Sequence, residues 1–221
     1  MIANPDKVEF LFTIPSIDNS LSIGANVAIQ MGALASREVE IERTRCYHPD
    51  DRRENVAEHS LMLAKVAPEL AVLLYPELDE NLVARFATLH DDIEAYVGDT
   101  PTDALAELNL ITKEEREAKG LARLSIEYAH MPSYVSLMRN YESMGIPEAR
   151  FVRAVDKLMV LLIHFSNVGA TLHYLYNYEK FFESERVLLE RDRYKYGEFD
   201  KIIELRRELG KTLADRYLHY S

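Results

Sequence analysis

Tryptophan is absent from this 221-residue chain, cysteine occurs once, and glycine and proline occur eight times each. The single cysteine, Cys46, excludes an intramolecular disulfide and a thiolate cluster for zinc. The expected setting is therefore a reducing compartment such as the cytoplasm, and any metal must be held by nitrogen and oxygen. Nowhere do about 18 apolar residues run without a charge, and the best stretch, Leu158 to Phe165, is far too short to span a bilayer. The first twenty residues are broken by Asp6, Glu9 and Asp18 and do not read as a signal peptide. Positive charge is scarce as well: 26 Lys and Arg stand against 37 Asp and Glu, for a net charge of −11. That balance argues against stable binding to nucleic acid and requires any anionic ligand to find a local positive pocket.

What is present is helical periodicity. Apolar residues recur at spacings of three and four, no alternating strand pattern persists, and the fold class reads as all-α. A first helix is expected over about Leu21 to Ala35, followed by a loop through the arginine-rich segment to Pro49 and Asp50. Asn55 followed by Glu58 has the form of a capping box, opening a helix to about Leu74 that Pro68 can kink or break. Leu82, Phe86, Leu89, Ile93 and Val97 form one stripe, which predicts a single helix ending at Gly98. Thr112 with Glu115 predicts a second capping box and a helix toward Tyr128, and Pro132 opens a shorter helix toward Met144. Pro147 suits a first helical position, and Val152, Val155, Met159, Leu162 and Ile163 make the apolar face of a long central helix. The stretch from Phe199 through Ile202, Leu209, Leu213 and Tyr217 is expected to pack back on the body, the alternative being a homodimer contact. The expected organisation is one helical domain over 1–221, with a core at about 43–165 and C-terminal helices at about 166–221.

The sharpest chemical signal is Leu89-His90-Asp91-Asp92-Ile93-Glu94. Neighbouring helical positions lie about 100° apart, so His90 and Asp91 can both reach one ion. Glu94, one turn from His90, can orient or deprotonate a water beside it. A His-Asp pair by itself is common. Asp156 adds weight, because it sits among Val152, Val155, Met159 and Val160, where a charged carboxylate is costly to bury without a cation or strong hydrogen bonds. Its ordinary compensation would be a salt bridge to Arg153 or Lys157. His59, early in its helix, would alone be a satisfied core residue. Together, two imidazoles and two carboxylates from three helices suit a divalent metal with positions left for water and substrate. Arg43, Arg45, Arg52 and Arg53, crowded into one segment of an acidic chain, are the candidates for an anion pocket.

The order His59, His90-Asp91, Asp156 resembles the HD-domain superfamily of metal-dependent phosphohydrolases. Within it, the segments Glu54-Asn55-Val56-Ala57-Glu58-His59-Ser60, His90-Asp91-Asp92-Ile93-Glu94 and Gly98-Asp99-Thr100-Pro101-Thr102 are similar to those of the bacterial HD-domain 5′-deoxynucleotidases. The resemblance covers about Arg43 to Ile163. It implies an HD-domain helical bundle holding one divalent metal ion (Mn, Co, Zn, Fe or Mg) on His59, His90, Asp91 and Asp156. It also implies catalytic roles at the water or substrate for Glu94 and Asp99, a place for Thr102 on the phosphate or sugar side, and an arginine, Arg43 or Arg45, on the substrate. The implied reaction releases phosphate from a (deoxy)nucleoside 5′-monophosphate, with triphosphate hydrolysis or non-catalytic nucleotide sensing as alternatives. The chain departs from those nucleotidases at one point: they carry a tryptophan directly after the arginine, where Thr44 or Cys46 stands here, with Tyr47 nearby. His48, His130, His164, His173 and His219 are read as structural or exposed. Glu127-Tyr128-Ala129-His130 has the Glu-X-X-His spacing of di-iron bundles, but the second copy that such sites need is missing.

Overall fold

Several helices in this chain begin where the sequence supplies an acceptor for their first amides. The computed structural model describes residues 10–48, 50, 52–98 and 110–218, and the side chains of residues 44–47, 110–113, 173 and 174 fall outside that description. Helix α1 (Ile23–Val39) starts behind Ser22, whose hydroxyl accepts from the Ala25 amide. Asn55 and Glu58 exchange both hydrogen bonds of the predicted capping box at the head of α2 (Val56–Leu74), which runs on through Pro68. Asp79 caps α3 (Glu80–Leu89). Pro132 and Pro147 open α6 (Pro132–Ser143) and α7 (Pro147–Ser166), where a missing amide leaves no hydrogen bond unmade.

Three expectations change and one element is added. The arginine-rich loop is an antiparallel hairpin, β1 (Glu42–Tyr47) against β2 (Arg53–Asn55), with Glu42 facing Asn55 and Tyr47 facing Arg53. A three-residue polar strand shows no apolar alternation, and its buried position is filled by Glu54. The helix expected to run to Gly98 stops at Leu89, turns through residues 90–93, and resumes as α4 (Glu94–Val97) before Gly98 at φ +73°. Helix α5 (Leu110–Glu127) is already formed at Leu110, so Thr112 lies inside it and cannot be its cap. Last, a polar helix, α9 (Tyr178–Tyr196), follows the short α8 (Leu172–Leu175). Few of its residues are buried, which is why no stripe marked it in the sequence.

Apart from the hairpin, the regular elements among the described residues are all helices, as the composition and periodicity predict. The main core gathers Leu63, Phe86, Phe151, Val155 and Met159 with their neighbours from α2, α3 and α7. A second cluster, Leu161, Leu172, Phe181 and Leu213, lies among α7, α8, α9 and α10 (Asp200–Tyr217), so α7 is common to both. Helix α10 packs on α7 and α9, the expected alternative to an exposed dimer face. Its Arg206, buried, is bidentate on Glu185 of α9, 3.4 Å from Asp192, and donates to the Lys157 carbonyl of α7. No helix among the described residues is long and apolar enough to cross a membrane.

Candidate metal centre

Three separate elements deliver the four expected metal ligands to one place. His59 comes from the first turns of α2, where the capping box sets the angle of the helix. His90 and Asp91 come from the end of α3 and the turn behind it, and Asp156 comes from the middle of α7. His59 Nε2 lies 3.0 Å from Asp156 Oδ1 and 3.7 Å from Asp91 Oδ2, and His90 Nε2 lies 3.0 Å from Asp91 Oδ2. The two imidazole rings are 5.0 Å apart, centre to centre. His59, His90 and Asp91 present donor atoms all within 4.8 Å of one another, and Asp156 joins them through its contact with His59.

These donors fit a divalent cation on three grounds. Two ligands about 2.1 Å from one ion at a right angle stand roughly 3 Å apart, which is the spacing of the closest pairs here. His90 Nδ1 donates to the Ala87 carbonyl at 3.0 Å, which fixes the tautomer and leaves the Nε2 lone pair facing inward. That Nε2 is buried and, although 3.0 Å from Asp91, makes no hydrogen bond, as expected of two groups aimed at a common point.

The electrostatics agree. Burial, and then the nearby Arg43 charge, push the His59 imidazole down to about 4, so it is neutral and ligand-ready at neutral pH. Burial pulls His90 the same way, but the Asp91 carboxylate beside it outweighs burial and raises it. Asp91 and Asp156 resist burial and stay below the usual carboxylate range, Asp91 chiefly through His90 and Asp156 chiefly through Lys157, which donates to it at 2.7 Å.

His90, Asp91 and Asp156 line a polar cavity, with His59 buried against them. Of the four arginines expected at an anion pocket, Arg43 lines it, with Nη1 3.3 Å from Asp91 and Nε 3.3 Å from the buried Glu54. Arg52 does not: its guanidinium is bidentate on Glu58, at 2.9 Å for both contacts. Arg53 is exposed, 3.8 Å from Glu42. The side chain of Arg45 lies outside the described residues, as do Asp99 and Thr102 entirely. Glu94 shares the cavity lining with His90 and Asp91.

Three further cations, Arg116 of α5 and Arg153 and Lys157 of α7, also line the cavity and were not assigned to it from the sequence. Arg153 is held by Glu142 at 3.0 Å and lies over the Tyr141 ring at 4.7 Å. Its position three residues before Asp156, on the same helical face, was the available signal. The Asp156–Lys157 contact is also the salt bridge that the sequence offered as an ordinary explanation, and ion pair and cavity lining coexist. Among the other histidines, His48 binds Glu58 at 3.1 Å and His164 is buried near the end of α7. The His173 side chain and His219 lie outside the description. Glu127 is occupied by the Tyr96 hydroxyl at 2.7 Å and Arg123 at 2.9 Å, which fits no di-iron site.

The HD-domain sequence pattern matches residues 38–193. A 5′-deoxynucleotidase of Schizosaccharomyces pombe is 25% identical over 151 residues, spanning 64% of this chain and 67% of its own. A solved structure described as a predicted metal-dependent phosphohydrolase, from Magnetospirillum magnetotacticum, superposes with a TM-score of 0.65 at 30% identity, covering 86% of this chain and 93% of that one. A conserved hypothetical protein of Pyrococcus furiosus superposes with a TM-score of 0.58 at 27% identity, covering 81% and 99% respectively. The chain belongs to the HD-domain family of metal-dependent phosphohydrolases, as its motifs implied.

Proposed function

We propose that this protein hydrolyses (deoxy)nucleoside 5′-monophosphates to the nucleoside and inorganic phosphate, using one divalent metal ion. The observation that carries the reading is the meeting of His59, His90, Asp91 and Asp156 at the border of a cavity that also holds Arg43, Arg153 and Lys157. The name of the Schizosaccharomyces pombe relative supports the substrate class. Charge supports one phosphate over three. Among the described lining residues, the four cations Arg43, Arg116, Arg153 and Lys157 face the five carboxylates of Asp91, Glu94, Glu117, Glu142 and Asp156. A divalent ion turns that lining from slightly negative to slightly positive, which suits a phosphate monoester better than the larger charge of a triphosphate.

A divalent ion on these four donors would supply a Lewis acid that makes water more acidic and draws charge from a phosphoryl oxygen. Glu94 would accept the proton of the attacking water as its oxygen bonds to phosphorus, while the bond to the sugar oxygen breaks and that oxygen leaves with the electron pair. The guanidinium forks of Arg43 and Arg153 would hold the phosphoryl oxygens as charge shifts among them. By motif, Asp99 would position water or substrate, and Thr102 would stand on the phosphate or sugar side.

The test is to strip the protein of metal and restore Mn, Co, Zn or Mg in turn, with a panel of nucleoside mono- and triphosphates. Metal-dependent phosphate release from the monophosphates alone is expected. Pyrophosphate or triphosphate as the product would replace the reading with a triphosphatase, and no product from any nucleotide would replace it with a sensor.

A further inference from the structure

The apolar stripe from Leu82 to Val97 favours one straight helix, yet the chain turns at residues 90–93. There the hydrogen bonds close over three residues: Asp92 N to Leu89 O at 3.1 Å, Glu94 N to Asp91 O at 2.8 Å, Ala95 N to Asp92 O at 3.2 Å and Tyr96 N to Ile93 O at 2.9 Å. Such 3₁₀-type bonding has poorer geometry than the α-helix it replaces, so contacts from outside the segment must favour it. Two neighbouring residues in the last turn of α1 supply them. Arg37, 6% exposed, donates from Nη1 to the Ala95 carbonyl at 3.2 Å and from Nε to the Phe12 carbonyl at 3.0 Å, with its guanidinium 4.7 Å over the Phe10 ring. Glu38, 8% exposed, lines one pocket with Asp92 of the turn and Tyr134, and burial and then the Asp92 charge raise its carboxyl to about 10, so it meets Asp92 in its protonated form. From the other side, the Tyr134 hydroxyl of α6 donates to Asp92 Oδ2 at 2.5 Å.

Neither Arg37 nor Glu38 is among the cavity-lining residues. Both reach the backbone or side chain of the segment that carries His90 and Asp91. We propose that the last turn of α1, through Arg37 and Glu38, is the positioning element of the metal centre, holding the 90–93 turn in the form that brings His90 Nε2 and Asp91 Oδ2 together. Asp92 is the handle by which the turn is gripped. The inference rests on the reading of His59, His90, Asp91 and Asp156 as metal ligands.

Cobalt(II) titrated into metal-free protein, followed by its visible absorption, reads the ligand geometry without turnover. Glu38→Leu is expected to weaken cobalt binding by about 10- to 100-fold and to change the band shape, the loss typical when a group supporting a ligand is removed. Glu38→Gln, which keeps the shape and supplies a hydrogen-bond donor to Asp92, should recover the wild-type spectrum and affinity. Tyr134→Phe removes one hydroxyl and keeps the ring, so it tests the same grip in a variant that retains its packing, and it should shift affinity in the same direction. Gln30→Ala breaks a bond from α1 to the Pro15 carbonyl, away from the turn. It should lower the melting temperature and leave cobalt binding intact. Equal weakening by Gln30→Ala and Glu38→Leu, or unchanged binding in both Glu38→Leu and Tyr134→Phe, would overturn the positioning role while the metal centre stands. A wild-type protein that binds no cobalt would remove the metal centre and this inference with it.

Discussion

Burial drives both imidazoles of the centre toward neutrality, and they respond differently because of what each one faces. His59 looks toward Arg43 as well as the carboxylates and goes down, whereas His90 lies against Asp91 and goes up. Asp91 therefore serves as the anion for His90, His59 and Arg43 together. Asp91→Asn keeps the size and removes the charge, and is expected to abolish both metal uptake and turnover, as is Asp156→Asn. Glu94→Ala should leave the metal bound and slow phosphate release by about 10²- to 10⁴-fold, the usual contribution of a general base. Metal content by elemental analysis beside a phosphate assay separates the two outcomes. The candidate ligands were readable in the sequence because His59, His90-Asp91 and Asp156 follow the order of the HD-domain family. The choice of Arg43 over Arg52 was not, because it depends on Glu58, the helix-cap carboxylate, capturing Arg52 first.

Among the elements, helix starts were the most legible, since a cap acts within four residues of itself. The hairpin was not, since a three-residue polar strand carries no apolar alternation, and neither was the break before α4, which depends on a partner far along the chain. The fit of α5 on α4 is equally long-range. A Cβ on Gly120 would lie 2.8 Å from Ile93 Cγ2 and 3.2 Å from Val97 Cγ1, against the turn that follows His90 and Asp91. Gly120→Ala is thus expected to destabilise the protein by about 1–3 kcal/mol in urea unfolding, the range for overpacking, despite alanine's better helix propensity. Helices α9 and α10 meet through a buried ion pair that periodicity does not reveal. Arg206→Ala would leave Glu185 buried without its bidentate partner and should cost about 3–5 kcal/mol, whereas Arg206→Met with Glu185→Leu should recover most of that loss. A double-mutant cycle in urea checks both.

For the whole molecule, acid sensitivity follows from buried imidazoles. His164, near the end of α7, is buried and pushed by that burial down to about 4, against an ordinary value of 6.5. The unfolded chain takes up this proton first, so the stability is complete above pH 6.5 and is lost as the pH falls toward 4, by roughly 3 kcal/mol. His59 contributes with the same sign in metal-free protein. His164→Phe should flatten the fall in melting temperature between pH 6.5 and 5, a window above the titration of ordinary carboxylates, and an unchanged slope would contradict this account.

The amino-acid sequence on its own determined the helical class, several helix starts, the candidate metal ligands and the family, because periodicity, caps and short motifs are local properties. Only the tertiary structure decided that Arg43 reaches the ligands while Arg52 and Arg53 do not, that Arg116, Arg153 and Lys157 share their cavity, and that α1 grips the turn behind His90 and Asp91. Those facts concern side chains tens of residues apart, and their meeting is set by how the helices pack, which no window of sequence contains.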